Sequence, residues 1–549
     1  MAEVRTHEVT AHTDTEMAQD QAKVLQRTLS RFDIVFLIVS AVVGLEMLGS
    51  VSAEGPQTFT WLVFLIIVFL VPYALIFAET GSAFVGEGGV YLWTRKAFGR
   101  PAAAVASAFT WITQPVWVGG SMAFLNAEAA RNHVAHFASG SAVDYIFKLV
   151  FIWLTVLAAV LSLKKAKWIP TAGAFFKITF LVLFIITAGV YATKNGVQPL
   201  TLGSFSPTVQ GFITLTPLLI FAFLGFEGSS SASGEMKNAQ HDVSASVLRS
   251  SAMAGIFYLI PVFTILLVVP RSQIDGVSGL LNAVSAVFSV YGPASETMMM
   301  VAVALFMCAN IGQGAAWMIM SDRMQAMAAA DGSFFGGFFG KFHPTLGTPV
   351  RVNLLSGTVS TVFMLAAMQL TGSSASLFNV VLGVAITTYL FSYLLIIPAA
   401  AKLRLHFPDA ERPFKVPGPN WVFVGICVIT TALVAFGSWV TGFPGTLEAL
   451  LGLPHDLSQA QGVPYAAFEA LTLGTIAFIV ILSLAGYARG ARLRRAFGYS
   501  SRPNPVGTDG VTATSATASS STASSAADGT GTGSGQIGDQ DAEEFALRP

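Results

Sequence analysis

Two carboxylates stand within apolar segments of the sequence, where an ionised side chain needs a partner. Glu46 lies in S-A-V-V-G-L-E-M-L-G-S, and Glu227 lies in F-A-F-L-G-F-E-G-S-S-S. Burying a carboxylate in lipid costs several kcal/mol unless it is paired or faces a watery cavity. Both segments therefore predict a polar site within an otherwise apolar environment.

Glycines and small polar residues surround both carboxylates, which predicts that the helices are interrupted there. Lipid-exposed backbone must be hydrogen-bonded, so a broken helix is tolerated only beside a protein-lined cavity. The opened ends offer unpaired N–H groups and carbonyls, which suit a carboxylate and an ammonium group. The alternative is that Gly and Ser only allow close helix packing. The candidate binding residues at the two breaks are Gly44, Leu45, Glu46, Gly225, Phe226, Glu227 and Gly228.

Lys177 is a further ionisable residue in an apolar segment, A-F-F-K-I-T-F-L-V-L-F. A buried lysine can bind and release a proton, which makes Lys177 a candidate for proton coupling. The alternative is that its side chain snorkels to the membrane surface, because Lys177 lies only about two helical turns beyond Pro170.

The elements that hold these residues are predicted to be transmembrane helices. Of the 549 residues, 53% are hydrophobic and only 11% are charged, which is unusual for a soluble protein. Apolar runs of about 20 residues, long enough to cross a bilayer as helix, recur along the chain. We count twelve, at 33–53, 58–84, 101–129, 143–163, 170–193, 209–235, 248–270, 296–321, 350–371, 374–401, 419–441 and 464–487. The sequence therefore predicts an all-α integral membrane protein of twelve transmembrane helices.

Three regions are expected along the chain: a cytoplasmic N-terminal segment at 1–32, a twelve-helix domain at 33–487, and a cytoplasmic tail at 488–549. Lys and Arg are concentrated in alternate loops, and the positive-inside rule then places both termini in the cytoplasm. The tail is rich in Ser, Thr, Ala and Gly, which predicts disorder. No cleavable signal peptide is expected, because the first apolar segment is long enough to span. Cys308 and Cys427 lie in predicted spans, so no structural disulfide is expected.

Three segments resemble the amino acid, polyamine and organocation permease superfamily, and the likeness covers roughly residues 30–420. Residues 78–99, A-E-T-G-S-A-F-V-G-E-G-G-V-Y-L-W-T-R-K-A-F-G, resemble its second-span signature. Residues 227–242 resemble its G-F-E followed by E-x-K-N. Residues 311–350, the eighth span and its exit, are similar to the corresponding region of arginine/agmatine and glutamate/GABA exchangers. The three segments occur in the expected order.

The resemblance implies a LeuT-like fold, in which five helices repeat with inverted topology and helices 1 and 6 are broken. It implies a secondary active transporter that moves an amino acid across the cell membrane by proton coupling or exchange. The interrupted segments of this sequence are the first and sixth spans, as such a repeat requires. No cofactor, metal or nucleic acid is implied; the expected partners are the solute, protons and membrane lipid.

The resemblance also assigns individual residues. Phe221 matches an aromatic that closes over substrate, and Trp317 matches a tryptophan that lines the pocket. Gly120 is a further substrate-binding candidate. Lys177 lies where sodium-coupled relatives bind sodium, in the register of the lysine of proton-coupled members. Arg95 and Glu235 are expected to approach each other at the cytoplasmic gate.

The sequence departs from this family at the first break. Many amino acid permeases have G-S-G there, whereas this chain has Gly44, Leu45 and Glu46. A fixed negative charge repels a substrate carboxylate unless it is protonated, paired or turned away, and it attracts an amine. A polyamine or another amine is therefore the alternative substrate.

Two other classes of membrane protein fit the sequence less well than a transporter. A membrane enzyme with haem or catalytic metal is disfavoured, because all 8 histidines lie outside the predicted spans. No phosphate-binding loop or nucleophile elbow is evident either. A channel is disfavoured because two broken helices indicate an occluded site with alternating access.

Overall fold

The computed structural model describes residues 15–23, 29–161, 168–270, 274, 279–370, 374–454 and 464–497. In these residues the secondary structure is helical, apart from a parallel bridge between Leu29 and Met236. The predicted all-α class is confirmed. The C-terminal tail lies outside the described residues from residue 498 onward.

In the described part of the first half of the chain, short connections separate eleven α-helices along the sequence. They are α1 Glu16–Lys23, α2 Arg31–Val42, α3 Leu45–Ser52, α4 Gln57–Leu65, α5 Val71–Ala83, α6 Val90–Phe98, α7 Arg100–Trp117, α8 Ala123–His133, α9 Ala142–Leu161, α10 Trp168–Asn195 and α11 Val209–Phe223. A π-helical turn at Ile66–Leu70 joins α4 to α5, and another at Val118–Met122 joins α7 to α8. A short 3₁₀ helix at Leu202–Phe205 precedes α11.

The second half begins with a 3₁₀ helix at Phe226–Glu235. The α-helices are α12 Ala239–Val268, α13 Gly279–Phe288, α14 Ser295–Ala330, α15 Val350–Leu370, α16 Ser374–His406, α17 Asn420–Gly442, α18 Thr446–Leu450 and α19 Tyr465–Phe497. A 3₁₀ turn at Ser289–Ala294 joins α13 to α14. The last helix extends to Phe497, beyond the predicted domain boundary at residue 487.

A helix is found at each of the twelve predicted spans, but not every helix is apolar enough to count as a span. Among the described residues, ten helical segments have the length and composition to cross a membrane, and the bent pair α2–α3 makes an eleventh. The predicted span at 101–129 is helical from Arg100 to His133 and is not among them. The twelve-span count and the inverted repeat stay predictions.

Both predicted interruptions are confirmed. The axis bends by 42° between α2 and α3, where Val43 and Gly44 leave the helical conformation. After α11 the chain is extended at Leu224, and Gly225 adopts a left-handed φ of 114°. A side chain at Gly225 would also place its Cβ 2.1 Å from the Trp317 ring. Both constraints require glycine.

A close contact between α10 and α14 brings Lys177 to the first break. A Cβ on Gly173 would lie 2.7 Å from the Cα of Gly312, so the two backbones meet without side chains between them. Lys177 follows one helical turn after Gly173 and therefore also faces α14 and the end of α2. The two glycines therefore let α10 and α14 approach closely enough to place the charged side chain of Lys177 beside the first break.

Candidate functional site

A small cavity lies beside the break between α2 and α3. It is bounded by Gly44 and Glu46 at the break, and by residues of α7, α11, α12, α14 and α16. Its volume is about 30 Å³, which is room for about two water molecules. An amino acid or a polyamine can enter only if the surrounding side chains move, so the structure represents a closed form of the cavity.

Glu46 places its carboxylate over the start of α3. The residue is 4% exposed, and its Oε1 accepts a hydrogen bond of 2.6 Å from Nε2 of Gln313. A Cβ on Gly44 would lie 2.8 Å from the same Oε1, so the carboxylate packs directly on the glycine backbone. Oε2 is buried and has no hydrogen-bond partner of normal geometry among the described residues.

Lys177 is fully buried and its ammonium group binds the first break. Nζ donates to the carbonyl oxygens of Ser40, at 2.7 Å, and of Val43, and to Oε1 of Gln313 at 2.7 Å. The side chain therefore points into the bundle and does not snorkel to its surface. Three N–H groups meet three oxygens, which is the arrangement that a protonated amine requires.

Gln313 joins the two charged residues. Its Oε1 accepts from Lys177, and its Nε2 donates to Glu46. These two bonds fix the orientation of the amide, because reversing it would place NH₂ against the ammonium group and oxygen against the carboxylate. The cation and the anion at the break are thus connected through one side chain of α14.

Aromatic rings form the opposite wall of the cavity. The Phe221 ring lies edge to face against Trp117, with centroids 5.6 Å apart, and against Tyr389, at 6.0 Å. Trp317 meets Tyr389 in the same geometry at 6.0 Å. Phe221 and Trp317 both line the cavity, and their contact with substrate stays a prediction. Such rings present π-faces that attract a cation.

Tyr258 holds the unwound backbone of the first break. Its hydroxyl donates to the carbonyl of Val42 at 3.2 Å and accepts from the N–H of Gly44 at 3.1 Å. The N–H of Gly44 is thereby already used by the protein.

Glu227 lies in a separate environment from Glu46. It is buried and accepts short hydrogen bonds from the hydroxyls of Tyr73 and Tyr393. The N–H of Gly225 donates to the Tyr73 oxygen at 2.8 Å. Glu227 and Gly228 border a second cavity of about 10 Å³, which shares Trp317 with the first one. Glu227 thus lies behind the aromatic wall.

Six predicted binding residues are not among those that line the first cavity: Leu45, Gly120, Gly225, Phe226, Glu227 and Gly228. Leu45 and Phe226 are fully buried, and Phe226 packs edge to face on Tyr73 at 6.0 Å. A Cβ on Gly120 would lie 2.4 Å from the Phe363 ring, so Gly120 allows close helix packing. Their part in substrate binding stays a prediction.

The end of the bundle that was predicted to face the cytoplasm contains buried ion pairs. Glu235 pairs with Arg323 at 2.8 Å, and Arg323 also lies 3.9 Å from Glu87. Arg95, which was expected to approach Glu235, forms its ion pair with Asp331 at 2.9 Å. A direct contact between Arg95 and Glu235 stays a prediction.

Burial and neighbouring charges shift the pKa of two carboxyl groups at this end in opposite directions. Burial raises the pKa of Glu87 to about 8, an effect that Arg323 opposes and Glu235 reinforces. Burial also acts on Asp331, but Arg100 and Arg95 hold the pKa of that carboxyl well below its usual range. Glu87 can therefore gain or lose a proton near neutral pH, whereas Asp331 stays ionised.

The N-terminal segment packs onto the same end. Thr15 is buried; its N–H donates to Asp331 at 3.0 Å, and its hydroxyl donates to the carbonyl of Ala330 at 2.9 Å. The N–H of Leu29 donates to the carbonyl of Glu235 at 2.9 Å. The segment thus contacts both groups of ion pairs.

Several residues of the site were missed by sequence analysis. Gln114, Trp117, Tyr258, Gln313 and Tyr389 line the cavity. Two of them carried a signal, because Gln114 and Gln313 are amides inside apolar spans and need hydrogen-bond partners. The aromatic residues carried none, since they look like ordinary membrane core. In the described part of the chain, no group of three His, Cys, Asp or Glu residues could hold a metal ion.

Comparison with known proteins finds a matching family and several similar transporters. Residues 29–454 match the family described as amino acid permease. The chain is 28% identical over 456 residues to a probable agmatine/putrescine antiporter of Lactococcus lactis, covering 82% of this chain and 93% of the relative. It is 27% identical over 463 residues to a branched-chain amino acid permease of Bacillus subtilis, covering 80% and 94%. It is 23% identical over 445 residues to an aspartate–proton symporter of Bacillus subtilis, covering 76% and 80%. The chain belongs to the amino acid permease family, and it is a multi-pass membrane transporter rather than an enzyme.

Proposed function

We propose that the chain is a secondary active transporter that moves an amino acid across the plasma membrane by proton coupling or exchange. A polyamine or another amine is the alternative substrate. The observation that carries the proposal is the closed cavity at the first break, where Glu46 faces a wall of aromatic rings. One carboxylate and several π-faces suit the amino group of a solute.

The closed cavity supports a carrier over a channel. A channel needs a continuous conducting path, whereas this site holds about two waters. The buried ion pairs of Arg323 and Asp331 lie at the predicted cytoplasmic end, where we propose that they form the barrier on that side. A binding site that is enclosed between barriers is what alternating access requires.

Lys177 supports coupling to protons. A carrier that uses a proton gradient needs a titratable group whose protonation changes the geometry of the substrate site. The ammonium group of Lys177 ties the carbonyls of Ser40 and Val43 to α14. A neutral amine has one N–H fewer and cannot keep all three bonds.

Both termini are proposed to lie in the cytoplasm, because Lys and Arg are concentrated in the loops on that side.

The proposal is tested by transport in proteoliposomes. Labelled amino acids and polyamines are screened with and without an inwardly directed pH gradient, and each hit is tested for counterflow with unlabelled solute. Uptake that saturates and shows counterflow is expected. Empty liposomes give the background. Non-saturating flux without counterflow would instead indicate a channel, and the proposal would then be wrong.

A further inference from the structure

An open groove lies between the last helix and the loop that follows α14, apart from the solute cavity. Its volume is about 1030 Å³, far larger than the cavity at the first break. Ala485 and Ala488 leave room on the side of α19, and both are exposed. Gly336 and Gly337 leave room on the side of the loop. The groove can therefore receive a ligand from outside without a change of fold.

Two arginines make this groove positively charged. Arg489 and Arg492 line it at positions i and i+3, so they lie on one face of α19. Both are exposed, and in the described part of the chain no hydrogen bond or ion pair occupies either guanidinium group. The described residues that line the groove include no Asp or Glu. Guanidinium groups bind phosphate oxygens through paired hydrogen bonds, so the groove suits a phosphate group.

The position of the groove along α19 places it at the level of lipid headgroups. From Tyr465 to Tyr487 the helix rises about 33 Å, which covers a hydrocarbon core of roughly 30 Å. Arg489 and Arg492 follow directly, and Arg494 stacks on the Tyr487 ring at 4.0 Å. Of the ten candidate spans in the described part of the chain, α19 has the least buried apolar stretch. A phosphate that reaches the groove at this depth belongs to a membrane lipid.

The loop that forms one side of the groove also carries the ion pairs of the predicted cytoplasmic end. The N–H of Phe335 donates to the carbonyl of Gly486 at 3.0 Å, and Arg494 donates to the carbonyl of Gly332. Gly332 directly follows Asp331, which accepts the buried ion pairs from α6 and α7. A headgroup that lies between α19 and this loop would therefore stabilise the closed arrangement around Asp331.

We propose that the groove binds the phosphate of an anionic membrane phospholipid through Arg489 and Arg492, and that the bound lipid favours the closed form of this end. Phe335 is exposed at the groove and offers an apolar surface to the glycerol and the first carbons of the acyl chains. A zwitterionic lipid brings its own cation, which the two arginines repel. The positive-inside rule explains charge at this end, but it does not require a groove between helix and loop.

Direct binding tests the site independently of transport. The full-length protein in detergent is titrated with phosphatidylglycerol, and the bound lipid is counted by native mass spectrometry, with phosphatidylcholine as the reference lipid. We expect phosphatidylglycerol to bind at least about tenfold more tightly than phosphatidylcholine. Arg489→Gln combined with Arg492→Gln should weaken the binding of phosphatidylglycerol about thirtyfold, because two charges at the lipid surface are lost.

A matched pair of substitutions separates the groove from surface charge in general. Arg249→Gln combined with Arg495→Gln removes two charges from exposed arginines that are not among the residues lining the groove. This variant should keep the phosphatidylglycerol affinity within about threefold of the parent. Ala488→Glu keeps every arginine and adds a carboxylate to the groove, so it should weaken binding as the first double variant does. It also tests the site if that variant fails to fold, as judged by gel filtration.

Cysteine labelling in proteoliposomes tests the effect of the lipid on the closed end. A neutral reagent is used, so that the surface charge of the membrane does not alter its local concentration. In the parent, adding phosphatidylglycerol to phosphatidylcholine vesicles should slow labelling at this end at least about threefold. In the variant without Arg489 and Arg492, the same addition should leave the labelling rate unchanged.

Four results would overturn the proposal. Equal loss of affinity in both pairs of arginine substitutions would show an effect of general surface charge. Full competition by inorganic phosphate would show a site for a soluble anion. Binding of phosphatidylglycerol only after Asp541, Glu543 and Glu544 are neutralised would assign the groove to the acidic end of the chain's own tail. A labelling rate that responds to the lipid equally with and without the two arginines would separate the groove from the closed end.

Discussion

At the level of single residues, Glu46 and Glu227 look alike in the sequence and differ in the structure. Both follow a break glycine by two residues. Glu46 lines the cavity and accepts from Gln313, whereas Glu227 binds two tyrosine hydroxyls behind the aromatic wall. Glu46 is thus placed to contact the solute, whereas Glu227 is placed to stabilise the backbone at the break of the sixth span. Their substitutions should therefore have different consequences.

Glu227→Gln should reduce transport much more than membrane insertion. The amide keeps the shape of the carboxylate but offers one oxygen where two tyrosines donate, so Tyr73 or Tyr393 loses its acceptor. Loss of a hydrogen bond to a buried charged group costs about 1.5–3 kcal/mol, which corresponds to roughly tenfold or more in uptake. The measurement is initial uptake rate divided by the amount of protein in the membrane. Uptake equal to that of the parent would show that Glu227 belongs neither to the site nor to its gate.

The sequence predicted the charged residues of the site better than its walls. Glu46 and Lys177 could be found because a lone charge in an apolar span needs an explanation. Gly44 came from the predicted break and Phe221 and Trp317 from the family resemblance, and all three line the cavity. Tyr258 and Tyr389 could not be found, since an apolar span does not reveal which of its faces meets a neighbouring helix. The hydrogen bond between Lys177 and Gln313 could not be predicted for the same reason.

At the level of helices, the break of the sixth span depends on Gly225. Its left-handed φ and its contact with the Trp317 ring both exclude a side chain. Gly225→Ala should therefore destabilise the protein by about 1–3 kcal/mol and abolish most transport, because Trp317 must leave the wall of the cavity. Thermal unfolding in detergent and uptake measure the two effects. Gly474→Ala, in α19 with no atom near the added Cβ, is the control and should leave both unchanged. Similar behaviour of the two variants would contradict this account.

The ion pair of Glu235 with Arg323 holds the end of the broken sixth span against α14. An exposed pair contributes about 0–1 kcal/mol, but this pair is buried, and removing one partner of a buried pair costs about 3–5 kcal/mol. Glu235→Gln should therefore shift the protein strongly towards the form open at this end. Labelling of single cysteines from each side of the membrane measures the shift. Equal accessibility in the parent and the variant would rule out a role of Glu235 in the gate.

At the level of the whole molecule, the helical segments could be predicted and their arrangement could not. Apolar runs give the positions of the spans, because lipid demands about 20 apolar residues for each crossing. The span at 101–129 shows the limit, since α7 and α8 are mostly buried and contain polar residues such as Gln114 and Asn126. The docking of Thr15 on Asp331 has no sequence signal at all, because it joins residues 316 positions apart.

The balance between the two open forms of the transporter should depend on pH through Glu87. In the closed end, burial raises the pKa of Glu87 to about 8, whereas a hydrated glutamate in the opened end has a pKa of about 4.3. A raised pKa means that the closed form is favoured most below about pH 4 and loses this advantage as the pH rises through about 8. Raising the pH on this side from about 6 to about 9 should therefore open the gate.

Cysteine labelling at this end, measured against pH, tests the dependence on Glu87. In the parent the labelling rate should rise with pH, after correction for the reactivity of the thiol on a fully exposed control site. Glu87→Gln keeps the size of the side chain and cannot ionise, so its corrected rate should be flat across the same range. Replacing Glu296, which is exposed and lies in the first turn of α14, whereas Arg323 lies in its second half, should leave the pH dependence as in the parent. The ion pair of Arg95 with Asp331 should contribute no slope in this range, because the pKa of Asp331 lies well below it. A slope that survives in Glu87→Gln would assign the pH response to another group.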